Sequence, residues 1–311
     1  MRFAKPLVVS IGLIIASTSR ILSDDSAMND GRYGPEPIGG YEGKESVIAM
    51  TSEHLRFKFG KQFTDVSATF TFRSGKKGAA AKQIVGFPDI GAAVEETFRR
   101  NSDLDAAAIE FHRRNPGADA KATDDMLNRR FGHFFVNSFI EGDFAGPLQH
   151  LQTFVDGAEV KSELKYGFVK ENDGGTWRGA TPTTGVLMAW YVVPVSFPPE
   201  RDVVIERRYR APTGNAVYGI LFFDYITHTG SNWRGPIGEL LAEVELRDGL
   251  TIDDLAWDET KQPFAVTKPS KSEWQIIDPT HLRLTWHNFK PRDEPNRQII
   301  SLVMKATKPE E

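Results

Sequence analysis

Apolar and polar residues alternate along much of the chain, which is the pattern of half-buried β-strands. In residues 66–73 every second residue is apolar, and in residues 240–247 three apolar residues alternate with charged ones. Asp156-Gly157 separates two further strand-like runs and predicts a type I′ hairpin. Short strands with turn signals between them predict an all-β fold: one or two antiparallel β-sandwiches with a small helical insertion.

Turn residues near position 212 divide these strands into two groups. Pro212-Thr213-Gly214-Asn215 interrupts the pattern, so we predict an N-terminal β-sandwich over 47–212 and a C-terminal β-sandwich over 213–311. The same strands could instead form one composite sheet system, because no internal repeat decides between the two arrangements. Residues 24–46 are rich in Gly and lack periodicity, and we predict an irregular leader there.

One segment, at about 93–135, has the pattern of helices instead. Ser102 can cap a helix that ends with Arg113 and Arg114, and Asn115-Pro116-Gly117 follows as a stop signal. Thr123 can cap a second helix over 123–131. The insertion is interpreted as a lid over a sheet face or edge, or alternatively as an element that docks a partner.

The N-terminus has the features of a signal peptide. Arg2 and Lys5 precede an apolar run over 7–16, which is shorter than the ~20 residues of a membrane span, and small residues follow. Cleavage is predicted after Ser23 and could extend to Ala27. We therefore expect a periplasmic or secreted protein, with a short membrane anchor as the alternative.

Composition removes several function classes. The chain has no Cys and a formal net charge of −4, so it lacks both a disulfide framework and a thiol nucleophile. A mildly acidic chain also lacks the basic surface of a nucleic-acid binder, and we expect no nucleic-acid partner. No later segment reaches transmembrane length, so no integral span is expected after signal removal.

The connection at 225–238 is richer in chemistry than a hairpin turn requires. It holds the candidate site residues His228, Ser231, Asn232, Trp233 and Arg234 between two apolar runs. A plain hairpin connection needs two to five residues, so this longer segment is the best candidate for a functional surface.

Exposed tryptophans would favour a ligand-binding function, because aromatic rings anchor ligands such as sugars. Trp177 lies among glycines in a loop that we expect to be exposed. Trp233 could be a ligand platform, but we favour a plug that fixes the long connection onto the sheet. Trp190, Trp274 and Trp286 are interpreted as core residues.

No catalytic motif is present. Asp224, His228 and Ser231 have the residue types of a catalytic triad. Active triads, however, are assembled by the geometry of the fold and not by closeness in the sequence. We interpret Ser231 and Asn232 as turn-capping residues. His281 and His287 would lie roughly 20 Å apart on one strand, too far to share a zinc ion, so no metal and no cofactor are expected.

Several motifs together resemble an exported bacterial family, domain-of-unknown-function family 4424. The matching segments are Phe87-Pro88-Asp89-Ile90, Phe154-Val155-Asp156-Gly157, Phe197-Pro198, Ile205 to Tyr209, Tyr225 to Gly238, and Asn288-Phe289-Lys290-Pro291. The first of these lacks the second Pro of the family element, and the insertion at 93–135 departs from the family pattern. The resemblance covers roughly residues 47–306 and implies an exported, β-rich protein without an established activity.

Three functional hypotheses follow. The first is a non-enzymatic exported protein that binds an envelope protein or a polymer such as a glycan. The second is a carboxylate-dependent hydrolase acting on glycans, which would need two carboxyl groups about 5–9.5 Å apart. The third is a purely structural or assembly module of the cell envelope.

Overall fold

The computed structural model describes most of the chain as β-strands. It describes residues 21–23, 26–31, 34–37, 46–75, 78–90, 148–170, 185–216, 219–227, 230, 232–257, 268–291, 293–294 and 297–305, with single residues between 110 and 126. The strands in chain order are β1 Ile21–Ser23, β2 Ser26–Gly31, β3 Gly34–Pro37, β4 Ile48–Phe59, β5 Phe63–Ser74, β6 Ala81–Ile90, β7 Gln149–Val155, β8 Ala158–Val160, β9 Glu163–Lys170, β10 Gly185–Phe197, β11 Asp202–Pro212, β12 Gly214–Ala216, β13 Ile220–Ile226, β14 Ile237–Leu246, β15 Gln275–Asp278, β16 His281–Phe289 and β17 Ile299–Val303. The predicted all-β fold is confirmed.

The described strands form two sheets. The nine-stranded sheet has the order β12-β13-β1-β6-β10-β9, with β17 beside β13 and the β2–β3 hairpin beside β6. The eight-stranded sheet has the order β15-β16-β14-β4-β5-β11-β7-β8. Pairing is antiparallel apart from two parallel pairs among the described strands, β4 with β14 and β1 with β13.

One hydrophobic core lies between the inner faces of the two sheets. Phe57 of the eight-stranded sheet packs on Phe223 of the nine-stranded sheet at a ring separation of 5.3 Å. Phe72 packs on Phe197 in the same way at 5.9 Å. Because alternate residues of a strand point to opposite faces, each long strand gives half of its residues to this core and half to the outside.

The predicted domain boundary at residue 212 does not separate two sandwiches. Strand β4, from the first half of the chain, pairs with β14, from the second half, over Ser52–Phe59 and Glu239–Leu246. The sequence left open one composite sheet system, and this is the arrangement that the described strands adopt. Parallel pairing of strands so distant in the chain leaves no local signal in the sequence.

The prediction of an irregular leader over 24–46 was wrong for its first half. Strand β2 pairs with β6, and β3 pairs with β2. Met28 of β2 is 1% exposed, so this strand contributes a buried side chain as well as backbone pairing. Backbone pairing does not require side-chain periodicity, which is why the sequence pattern missed these strands.

The predicted turn at Asp156-Gly157 is present, with φ of 49° and 81° at the two residues, as a type I′ turn requires. Most of the predicted helical insertion lies outside the described residues. Residues 110, 111, 113 and 114 are helical, and the backbone N–H of Asn115 donates to Phe111 O at 2.9 Å. Among the described residues, no helix is long and apolar enough to cross a bilayer.

Candidate functional site

The connection between β13 and β14 is anchored to neighbouring segments at both ends. At its start, Thr227 is buried, and its N–H and hydroxyl donate to Gln298 O at 3.0 Å and Arg297 O at 2.6 Å. At its end, the N–H of Arg234 donates to Ile48 O at 2.8 Å. The connection therefore joins the segment before β17 to the start of β4.

Trp233 lies inside the core. Its side chain is 1% exposed, and its ring centroid is 4.5 Å from that of Phe72 on β5. The Trp233 N–H donates to Gly230 O at 3.3 Å, which closes a tight turn ahead of it. A ring buried in this way is not available to a ligand, so this geometry is that of a plug.

Arg234 lies on the surface and packs against a glycine. A Cβ at Gly75 would come within 1.7 Å of Arg234 Nη1, so the guanidinium occupies the space that a side chain would need there. Gly238 allows a second close approach, because a Cβ there would lie 2.4 Å from Thr51 O. These two contacts fix the connection against β4 and β5.

The structure does not bring the predicted site residues together on one described surface. Trp233 is buried, Asn232 is half-buried and Arg234 is exposed. His228, Ser231 and Trp177 lie outside the described residues. Asp224, the acid of the Asp224, His228 and Ser231 combination, instead accepts a hydrogen bond from Ser301 Oγ. Burial raises the pKa of Asp224.

A further surface, which could not be identified from the sequence, is the side of the eight-stranded sheet that points away from the core. We call it the outer face. It is built from alternate residues of β16, β14, β4, β5, β11 and β7. One row across it, read from the strand registers, is Glu206, Thr69, His54, Leu241 and Thr285.

Opposite charges alternate across this face and pair with each other. At its centre, the Glu243 carboxylate lies 2.9 Å from His54 Nε2 and 3.5 Å from Arg56 Nε, and it accepts a hydrogen bond from Arg283 at 3.0 Å. The hydrogen bond with His54, followed by that from Arg283, holds the pKa of Glu243 below its usual value. Glu243 therefore stays ionised, and its contacts link β14 to β4 and β16.

The same pairing continues toward β11. Arg73 donates two hydrogen bonds to Asp202 at 2.5 and 2.7 Å, and Arg208 donates two to Glu206 at 2.6 and 2.9 Å. Asp65 accepts from Arg210 at 2.7 Å. Because charges of both signs are interleaved, the face presents a polar surface without a basic stripe.

Aromatic and aliphatic side chains lie among these charges. The guanidinium carbon of Arg208 is 4.6 Å from the ring centre of Phe154, and that of Arg210 is 5.6 Å from Phe63. Phe63 is 38% exposed and Val204 is 36% exposed. Protein interfaces likewise combine apolar groups with a polar rim, and charged residues are depleted at their centres.

The flat area of the outer face can be compared with that of a standard protein interface. Six strands spaced about 4.8 Å apart span roughly 24 Å, and eight paired residues extend roughly 26 Å along them, which gives a plane of roughly 600 Å². A standard protein–protein interface takes about 800 Å² from each partner. The flat area of the face is thus about three-quarters of that value, before the relief of its side chains is counted.

Two further acids, Glu53 and the half-buried Asp224, lie away from the outer face. Glu53 is buried in the core and accepts a hydrogen bond from Tyr225 OH at 3.0 Å. Asp224 precedes Tyr225 on β13, so its carboxyl points to the opposite side of the nine-stranded sheet. These two acids therefore do not form a facing pair.

Arg207 is the other buried charge, on the core side of β11. It donates to Thr153 Oγ1 at 2.6 Å and to Ser162 Oγ at 3.1 Å. His281 and His287 are exposed. Over the part of the chain that the structure describes, no group of three or more His, Cys, Asp or Glu residues could hold a metal ion.

Comparison with known proteins gives a likeness of fold. No family model and no curated protein matches the chain. A solved structure from Legionella pneumophila, a "putative nutrient binding protein", is 14% identical and superimposes with a TM-score of 0.54, covering 92% of this chain and 71% of that one. At this identity the likeness shows the fold alone.

An M1 zinc metallopeptidase from Deinococcus radiodurans also aligns, at 7% identity and a TM-score of 0.31, over 81% of this chain and 42% of that one. An M1 zinc metallopeptidase bound to tryptophan aligns at 7% identity and a TM-score of 0.28, over 84% and 43% of the two chains. Similarity at this level carries no argument about the present chain. The resemblance to family 4424 stays a prediction.

Proposed function

We propose that this chain is an exported, non-enzymatic β-sandwich protein that binds an envelope protein through its outer face. The observation that carries the proposal is the outer face itself: six neighbouring strands present an extended plane of ordered ion pairs with exposed Phe63 and Val204 among them. Such a plane provides complementary charges that select a partner and apolar groups that are buried on binding.

Export is proposed on sequence grounds. The basic, apolar and small-residue segments at the N-terminus have the order of a signal peptide, and family 4424 is exported. The fold likeness to a "putative nutrient binding protein" agrees with a binding role for this chain.

A protein partner fits the described surface better than a glycan does. Sugars are usually held by stacking on exposed aromatic platforms. Trp190, Trp233, Trp257, Trp274 and Trp286 are all buried, and the sixth, Trp177, lies outside the described residues. On the outer face, the guanidinium group of Arg208 lies over the Phe154 ring, 4.6 Å from the ring centre.

The hydrolase alternative gains no support from the buried acids. A glycosidase needs two carboxyl groups facing one bond from opposite sides. Glu53 instead lies in the core on the inner side of the nine-stranded sheet, whereas Asp224 points to the outer side of that sheet. A binding role needs no such pair.

The test is site-specific photo-crosslinking in cells that export the protein. A photoreactive residue at Thr69, at the centre of the outer face, is expected to give one discrete adduct that protease digestion removes. The same residue at Ala158, the exposed first residue of β8, is the matched control. Equal adducts at both positions, no adduct at either, or an adduct that resists protease would contradict the proposal.

A further inference from the structure

Strand β1 occupies an internal position in the nine-stranded sheet. Leu22 lies opposite Asp89 of β6 on one side and Tyr225 of β13 on the other. In the sheet order, β1 is the described strand that joins the β12–β13 part to the β6–β10–β9 part. Its removal would leave two facing edges with unpaired backbone N–H and C=O groups.

Strand β2 continues along the same edge of β6. Ser26 lies opposite Gly86, and Met28 lies opposite Ile84. The Met28 side chain packs where β6 has a glycine: a Cβ at Gly86 would lie 2.7 Å from Met28 Cγ and 3.1 Å from Trp190. Met28 O also accepts a hydrogen bond from the Gln83 side chain at 2.5 Å.

Cleavage after Ala27 conflicts with this packing. It would remove two paired residues of β2 and place a charged α-amino group on Met28, a residue that is 1% exposed. Burying an unpaired charge is strongly unfavourable. Cleavage after Ser23 conflicts with the pairing of β1, because it would remove all three of its residues.

The sequence offers another site upstream of both strands. Signal cleavage favours small residues at the first and third positions before the cut. Ser17 and Ser19 meet this requirement directly after the apolar run, whereas a cut after Ser23 has Ile21 at the third position and a cut after Ala27 has Asp25.

We propose that signal cleavage occurs between Ser19 and Arg20, so that the mature chain keeps β1 and β2 as built parts of the nine-stranded sheet. This inference rests on the proposed export. It replaces the cleavage positions that the sequence alone suggested with one that leaves every described strand intact.

The test uses the full-length chain in a bacterial host with Sec export. Intact mass and N-terminal sequencing of the exported protein are expected to give Arg20 as the first residue. In pulse-labelled cells, Ser19→Leu is expected to lower the processed fraction at least about tenfold, since a large residue replaces the small one before the cut. Ser23→Leu is the matched control and is expected to be processed like the wild type.

Processing is read before the mature fold is complete, so a variant that folds poorly still reports its cleavage. Exported protein that begins at Asp24 or Met28, or normal processing of Ser19→Leu, would overturn the position while leaving export in place. A chain that stays inside the cell with Met1 intact would overturn both export and the cleavage site.

Discussion

Trp233 holds a connection without regular strands against the core. Its ring fills the space beside Phe72, while the backbone on either side turns at Gly230 and at Gly235, where φ is 73°. The next residue, Arg234, lies on the surface. One large side chain thus packs the segment between β13 and β14 against the core, in addition to the backbone hydrogen bonds at Thr227 and Arg234.

Replacing this side chain should destabilise the protein strongly. Trp233→Ala removes a buried indole, and we expect a loss of about 3–5 kcal/mol in the free energy of unfolding, because a cavity replaces the lost contacts. Chemical denaturation of the two proteins measures the difference. Ile277→Ala, at a site that is 49% exposed, is the control and should change the free energy by less than about 0.5 kcal/mol. Equal stability of wild type and Trp233→Ala would return Trp233 to a ligand-binding role.

Hydrogen bonds in the turn between β15 and β16 determine the pKa of the Asp278 carboxyl group. A hydrogen bond from the Thr280 backbone, followed by one from His281, lowers the pKa of Asp278 from 3.8 to about 2. A carboxyl group with a lowered pKa stabilises the fold above its unfolded pKa, and this stabilisation is lost as the pH falls from about 4 through about 2.

NMR titration of the carboxyl groups is expected to show the Asp278 midpoint near pH 2. His281→Ala should move the midpoint upward, because it removes the second-largest cause, and Thr280→Ala should move it less, because the backbone N–H remains. A midpoint near the ordinary value in the wild type would show that the turn does not hold the carboxylate.

Adjacent residues of strand β11 point to opposite sides of the sheet and therefore have different roles. Arg207 points into the core and bonds to Thr153 and Ser162, while Arg208 points to the outer face and pairs with Glu206. The two arginines have the same chemistry and differ in which side of the sheet they occupy. Burial therefore decides how much each contributes.

We expect Arg207→Ala to cost about 3–5 kcal/mol of unfolding free energy, because it empties the space of a fully buried side chain and removes its hydrogen bonds to Thr153 and Ser162. Arg208→Ala, the matched control on the same strand, should cost less than about 1 kcal/mol, as exposed ion pairs usually do. Equilibrium denaturation of both variants measures the contrast. Similar losses for the two would mean that β11 does not divide its arginines between core and surface.

The residues of β11 that point inward could be predicted from sequence, since Val203, Ile205 and Tyr209 alternate with polar residues and Arg207 falls at the same alternate positions. The partners of Arg207 could not, because Thr153 and Ser162 lie 54 and 45 residues away. The outer face was missed for the same reason. Its strands alternate visibly, but the rows across it depend on which strands are neighbours, and distant strands such as β4 and β14 carry no local signal of their pairing.

At the level of the whole molecule, the two halves of the chain share both sheets. Strands β13 and β17 from the second half belong to the nine-stranded sheet, and β14 to β16 complete the eight-stranded one. Pro212-Thr213-Gly214-Asn215 is therefore where the chain passes from one sheet to the other: Pro212 ends β11, Gly214 begins β12, and Thr213 alone lies between them. Pro and Gly resemble a linker here because they also occur where strands end and begin.

We expect neither residues 47–212 nor residues 213–311 to fold when expressed alone, because β4 and β14 would each lose a partner along eight residues and expose core side chains. Circular dichroism and limited proteolysis of the separate fragments should show unfolded chains, and mixing the two should restore the sheet signal if they associate. The intact chain is the control and should unfold in one cooperative transition, as expected where one core joins strands of both sheets. Two separate transitions, or a protease-resistant 213–311 fragment, would show that the boundary at 212 is a true domain boundary after all.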